Sequence, residues 1–255
     1  LKRARHFRRG AAILPSLFTT GNLFLGFWAI VKTLDGDFAG AAPLIGGAVI
    51  LDILDGRIAR LTGTQSAFGA ELDSLADTVS FGVAPALLAY GWALHDVPRA
   101  GWPAAFLFLV CGVLRLARFN VQKHVVDSRF FVGLPIPAAA AQVAAIVLFV
   151  PTTPLPHWAA ILALALVVAL GLLMVGTFRY HSFKGVDLRR RRRSISVLGI
   201  ALVFLLVALD PKIFLLAVTS LYTLSGPGLY LLGLVRRRRA AAKSSVGSEE
   251  PQASP

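Results

Sequence analysis

Apolar runs long enough to cross a bilayer alternate with short polar breaks along most of this chain. Eight such runs stand out: Leu17–Thr33, Ala39–Leu61, Phe68–Leu94, Trp102–Phe119, Pro135–Val150, Trp158–Phe178, Ile195–Leu209 and Ile213–Val235. A helix needs about 20 apolar residues to cross a hydrocarbon core ~30 Å thick. The pattern therefore predicts an all-α fold, a polytopic helical bundle with about eight membrane spans. The seventh run is the shortest, and its limits are the least sharply marked.

The polar breaks carry a second signal. Only Lys32, Arg99 and Lys212, of 26 Lys and Arg, fall on one side of the membrane when the spans alternate. The rest lie in Lys2–Arg9, at Arg57 and Arg60, from Arg115 to Arg129, from Arg179 to Arg193 and from Arg236 to Lys243. Basic residues stay on the cytoplasmic face, so both termini are expected there and the number of spans is even. Lys2–Arg9 is basic and leads into a run too long for the apolar core of a cleaved signal. It reads as an interfacial segment joined to a retained span, although the chain starts at Leu1 and its one methionine is Met174. The run Arg189–Arg193 reads as a topology anchor that can also meet anionic lipid headgroups. Residues 240–255 are small and polar and are expected to be disordered.

Composition sharpens this picture in one respect. Hydrophobic residues make up 56% and charged ones 15%, against about 25% charged in soluble domains. The mean hydropathy is +0.70. An ordinary soluble enzyme, a disordered chain and a disulfide scaffold are all excluded. The net charge of +13 would suggest nucleic acid in a soluble domain. Here the basic residues follow the topology, and no nucleic-acid partner is expected. The lone Cys111 lies in an apolar run and reads as a small core residue.

Charged residues inside membrane helices are rare and functional by default. The second run holds Asp52, Asp55, Arg57 and Arg60 near its inner end, and the third begins with Glu71, Asp73 and Asp77. Asp52, Asp55, Gly56, Ala59 and Arg60 fall in a stripe about 140° wide on a helix. Asp73 and Asp77 lie one turn apart on one face, and Gly69 lies one turn before them. Two antiparallel neighbours can thus aim four carboxylates at one spot, with Gly56, Ala59 and Gly69 leaving room for close approach. Four aspartates at a helix centre would cost on the order of 10 kcal/mol, so cations must balance them. Oxygen-only ligands suit Mg2+, Mn2+ or Ca2+ rather than zinc. Two such ions facing a diphosphate would stabilise in-line displacement at phosphorus. Buried ion pairs through Arg57 and Arg60 would leave the cluster under-compensated.

Residues 52–77 read DILDGRIARLTGTQSAFGAELDSLAD. This resembles the signature of the CDP-alcohol phosphotransferases, D-x2-D-G-x2-A-R-x8-G-x3-D-x3-D, at every fixed position. The stretches LPSLFTTGNLFLGF (14–27), FGVAPA (81–86), RLARFN (115–120) and GLPIPA (133–138) resemble the serine-accepting branch, which often has Asn where this chain has Ser16. The resemblance covers residues 13 to about 190. It implies a core at 1–190, two added C-terminal helices at 191–239 and a tail at 240–255.

The resemblance further implies an integral enzyme of the inner cell membrane. It would transfer the phosphatidyl group of CDP-diacylglycerol to the hydroxyl of L-serine and release CMP. Asp52, Asp55, Asp73 and Asp77 would hold two divalent cations, Mg2+ or Mn2+. Asp77 would also be the general base for the acceptor hydroxyl, which is a poor nucleophile at neutral pH. Asn22, Gly56, Arg60 and Ser66 would meet the CDP-diacylglycerol headgroup, with Thr20 and Gly21 close by. Arg60 can clamp phosphate oxygens bidentately. Arg115, Arg118 and Asn120 are the candidates for the serine carboxylate, and the loop 133–137 lies on the same side. A homodimer embedded in membrane lipids is expected.

Three rivals are weighed against this. A divalent cation transporter would need carboxylates deeper in the membrane and would not place arginines beside its ion. An intramembrane prenyltransferase usually separates its aspartate motifs much further. A sister enzyme using glycerol 3-phosphate, inositol phosphate or choline shares the signature and differs only in the secondary motifs. An archaeal-type lipid donor would share the polar head.

Overall fold

Polar residues at the membrane boundaries set where the first helices stop and start. The computed structural model describes residues 2–63, 66–122, 130–181 and 209–247. Helix α1 (Lys2–Leu34) carries the basic segment and the first apolar run in one rod. Asp37 caps α2 (Phe38–Thr62), its carboxylate accepting from the Gly40 N–H at 2.8 Å and from Lys32 Nζ at 3.0 Å. The Lys32 bond and the Gly40 N–H hold the Asp37 carboxyl below the usual carboxylate range. α2 closes on Gly63, whose N–H bonds the Ala59 carbonyl. Ser66 then caps α3 (Ala67–Asp77), its hydroxyl accepting from the Gly69 N–H at 3.0 Å.

α3 runs through a π-helical segment at Thr78–Val83 into α4 (Ala84–Trp92). The third apolar run is therefore one rod from Ala67 to Trp92 with a locally widened turn. α5 (Gly101–Gln122), α6 (Ile136–Phe149), α7 (His157–Val175) and α8 (Pro211–Gly247) complete the described helices. A short antiparallel ribbon pairs β1 (Phe130–Val132) with β2 (Arg179–His181), Phe131 facing Tyr180.

Among the described residues, the chain is an all-helical membrane protein apart from that ribbon. Six described helices are long and apolar enough to cross a membrane: Ser16–Leu34, Phe38–Ala59, Ala67–Trp92, Gly101–Val121, His157–Val175 and Pro211–Tyr230. The expectation of eight spans is met only to this extent. The fifth expected span is realised as α6, whose 14 residues reach about 21 Å at 1.5 Å per residue. Pro135 caps its start, and Pro151, Pro154 and Pro156 crowd its far end, so it cannot lengthen. The sixth expected span stops at Val175, short of Phe178, because the chain turns at Gly176 into β2. The seventh expected span, 195–209, lies outside the described residues except for its last position.

Many alanines line the inside between a few large apolar side chains, and other large side chains face outward. Ala41, Ile45 and Ala48 of α2 share one core with Phe81, Ala84 and Leu88 of the third rod, Ile136 and Ala140 of α6, and Leu170 and Met174 of α7. Phe24, Phe27, Ile50, Phe68, Phe106 and Trp158 project outward. Lipid tails are as apolar as these side chains, so close backbone packing, not a greasy interior, holds the helices together. A close approach joins α1 to the π segment: a Cβ at Gly26 would fall 2.6 Å from Ser80 Cα. At the other end of the chain, Tyr180 is fully buried and donates to the Thr223 carbonyl of α8 at 3.1 Å. Burial pushes its hydroxyl up to about 12, so it remains a neutral donor.

Gly26→Ala is expected to destabilise the fold by about 1–3 kcal/mol, the usual cost of overpacking a tight contact. A lowered Tm in detergent checks this. Gly46→Ala serves as the control: a Cβ at Gly46 meets no neighbour within 4 Å, so Tm should stay unchanged or rise slightly.

Candidate active site

Two helices bring three carboxylates together. α2 supplies Asp52, and α3 supplies Asp73 and Asp77 from adjacent turns of one face. One oxygen from each lies within 4.8 Å of the other two. Asp77 is buried, while Asp52 and Asp73 are half-buried. Three like charges at this spacing need a cation between them. The donor set is oxygen only and flexible in denticity, which fits a hard divalent ion.

Asp77 is the best supported of the three. The Asn22 amide of α1 donates to its Oδ1 at 3.2 Å, and Ser80 Oγ donates to the Asn22 carbonyl at 3.0 Å. Asn22 and Ser80 are both fully buried. Asn22 thus orients Asp77 and leaves lone pairs on both of its oxygens for a metal and a proton. Asn22 Oδ1 is buried and has no hydrogen-bond partner among the described residues.

Asp55 does not join the triad. It is buried and accepts a hydrogen bond from the Thr19 hydroxyl of α1. The reason is rotational: three residues on a helix leave Asp55 about 60° from Asp52, which turns it toward α1. The expected quartet is therefore a triad plus one carboxylate tied to the neighbouring helix.

Arg115 of α5 stands beside the triad. It is only 8% exposed, and its guanidinium lies 5.6 Å from the Phe119 ring centroid. It is within electrostatic range of Asp77 and Asp52, yet its Nε has no hydrogen-bond partner among the described residues. A buried donor without a partner is costly and points to an absent one.

The remaining candidates divide. Asn120 donates to Ser74 Oγ of α3 at 2.9 Å, so it ties α5 to the aspartate helix. Arg118 is exposed and is not drawn into the cluster. Gly56 has open space where a Cβ would stand. Ser66 acts as the N-cap of α3 and is exposed. Thr20 bonds back to the Ser16 carbonyl at 2.7 Å, and Gly21 packs toward Leu51 of α2. Arg60 lies one turn beyond Gly56 on α2, and its side chain is outside the described set.

Sequence reasoning does not single out Thr19, Ser74 or Ser80. Thr19 and Asn22 are i, i+3 on α1, so a polar pair on one face of an apolar helix is the signal that would find them. Ser74 and Ser80 flank the last aspartates and bond across helices, which a sequence does not display.

The model of a protein family described as CDP-alcohol phosphatidyltransferase matches residues 12–176. A CDP-diacylglycerol–serine O-phosphatidyltransferase of Helicobacter pylori (strain ATCC 700392 / 26695) is 41% identical over 196 residues, 75% of this chain and 81% of the relative. A protein of the same name from Mycobacterium leprae is 46% identical over 136 residues, 51% of this chain and 45% of its own. An archaetidylserine synthase of Methanothermobacter thermautotrophicus is 35% identical over 175 residues, 68% of this chain and 71% of its own.

In detergent, the protein is expected to bind Mn2+, read by electron paramagnetic resonance as loss of the free-ion signal. Asp52→Asn, Asp73→Asn and Asp77→Asn should each abolish that binding at micromolar ion. Asn22→Ala, which removes only the group orienting Asp77, should weaken it about tenfold.

Proposed function

The chain belongs to the CDP-alcohol phosphatidyltransferase family, and from that membership we propose that it transfers the phosphatidyl group of CDP-diacylglycerol to L-serine. The products are phosphatidylserine and CMP. The observation that carries this is the convergence of Asp52, Asp73 and Asp77 within 4.8 Å beside a buried arginine with an unused donor. Relatives named for serine transfer support the acceptor.

Asp77 is the general base. Its Oδ1 is held by Asn22, and its other oxygen takes the proton of the serine hydroxyl as that oxygen attacks phosphorus. The new O–P bond forms as the bond from phosphorus to the CMP oxygen breaks. Asp52, Asp73 and Asp77, with Asp55 swung from Thr19, are the ligands for two Mg2+ or Mn2+ ions. Held there, such ions would supply positive charge against the diphosphate and against the charge that develops on phosphorus and the leaving CMP. Arg60, Gly56, Ser66 and Asn22 border the headgroup of CDP-diacylglycerol. The space over Gly56 allows the nucleotide to approach the α2 backbone. Arg115 pairs with the serine carboxylate, with Asn120 fixing α5 against α3.

The site sits at the cytoplasmic end of the bundle, where a lipid-anchored diphosphate and a soluble amino acid can meet. Both termini face the cytoplasm of a cell whose inner membrane holds the protein. α6 and the stretch 195–209 raise the six candidate spans to eight. Residues 1–190 form the catalytic core and 191–239 an added pair of helices; of the tail expected to be disordered at 240–255, the part to Gly247 instead continues α8 as helix. The active form is a homodimer. A second reading changes only the lipid: the similarity to an archaetidylserine synthase favours a donor with the same CDP head on archaeal-type chains.

The test is purified protein in detergent with CDP-diacylglycerol, Mn2+ or Mg2+, and labelled serine beside glycerol 3-phosphate and inositol phosphate. Metal-dependent phosphatidylserine and CMP are expected, with Asp77→Asn reducing the rate at least a hundredfold. CMP formed only with another acceptor would overturn serine and keep the mechanism.

A further inference from the structure

The family match ends at residue 176, and the last described helix beyond it packs against α6 and the ribbon. α8 is fixed against the core at several points. Tyr180 donates to the Thr223 carbonyl at 3.1 Å. A Cβ at Gly226 would fall 2.3 Å from the Tyr180 ring, so that glycine lets α8 lie flush on it. Gln142 of α6 donates to Ser220 Oγ at 3.3 Å and accepts from Thr223 Oγ1 at 3.5 Å. These contacts leave α8 one axial and rotational setting.

In that setting Tyr222 points inward. Its ring packs on Tyr180 with centroids 5.6 Å apart and planes at 38°. It is half-buried against the core, and its hydroxyl is within electrostatic range of the Arg115 guanidinium. Arg115 therefore has Phe119 of its own helix at 5.6 Å, Tyr222 of α8 nearby and the aspartates within range. A guanidinium with an unfilled buried Nε and the Phe119 ring beside it is held for a planar anion, not for the triad itself.

We infer that Tyr222 of α8 is a positioning residue that orients Arg115 toward the carboxylate of the acceptor, so that the helix beyond the matched segment sets acceptor affinity. This rests on the assignment of Arg115 to the acceptor under the proposed function. Tyr222 does not touch the reacting atoms. It restricts the guanidinium so that less freedom is lost when the carboxylate binds.

The experiment is steady-state kinetics of full-length Tyr222→Phe, Tyr222→Leu, Arg115→Lys and the Tyr222→Phe/Arg115→Lys pair, with Tm recorded for each. Tyr222→Phe should raise the serine KM about tenfold. Its kcat and its KM for CDP-diacylglycerol should stay within about twofold, and Tyr222→Leu should give at least as large a rise. In the Arg115→Lys background, Tyr222→Phe should add nothing further. A serine KM within twofold of wild type in active Tyr222→Phe would overturn the inference. So would equal losses in kcat and in both KM values, or an undiminished effect in the Arg115→Lys background. Arg115→Lys with an unchanged serine KM would instead remove the acceptor role of Arg115. Wild type that makes no product from serine would remove the proposed function, and the inference with it.

Discussion

Three carboxylates within 4.8 Å of one another repel. Two unit charges 4 Å apart interact at about 4 kcal/mol near a protein surface and at only about 1 in water. The rest of the bundle has to hold that arrangement against its own charge. It does so by locking the helices that carry the carboxylates, not by moving them apart. Asn22 takes one oxygen of Asp77, Ser80 fixes Asn22, and Thr19 draws Asp55 aside. α1 contributes no carboxylate to the triad, yet it supplies the donors that orient Asp77 and Asp55. Its close passage over Ser80 at Gly26 is what brings those donors within range.

The apolar composition serves the same end. With many alanines inside, the helices approach closely enough for polar groups to bond across them. Asp77 and Asp55 find their α1 partners in this way. On the proposed mechanism this preorganisation is what allows one aspartate to accept a proton while its neighbours hold metal.

Much of this was legible in the residues. The spacing of Asp73 and Asp77 put both on one helix face, and the fixed positions from Asp52 to Asp77 pointed to the family before any coordinates. The spans were legible wherever a run was long and uniformly apolar. The limits came from three-dimensional causes. Asp55 looked equivalent to Asp52 within a broad stripe, but 60° of rotation was enough to give it a different neighbour. α6 looked like a span by hydropathy, while prolines at both ends held it to 14 residues. The ribbon was too short for any alternation to register. Tyr222 carries no local signal at all, since its placement depends on contacts of α8 with Tyr180 and Gln142, which are 42 and 80 positions away.

The widened segment at Thr78–Val83 also constrains how this sequence can vary. A π turn takes up roughly one residue more than an α turn, which shifts the phase of the rod by about 100°. The face bearing Asp73 and Asp77 and the face bearing Leu88 and Trp92 are therefore set by a single extra residue. Loss of one position there would restore a smooth helix. It would also swing either the aspartates away from Asp52 or the lower half of the rod out of the core. The segment works as a fixed angular offset between chemistry and packing, and length in this stretch is bound more tightly than side-chain identity.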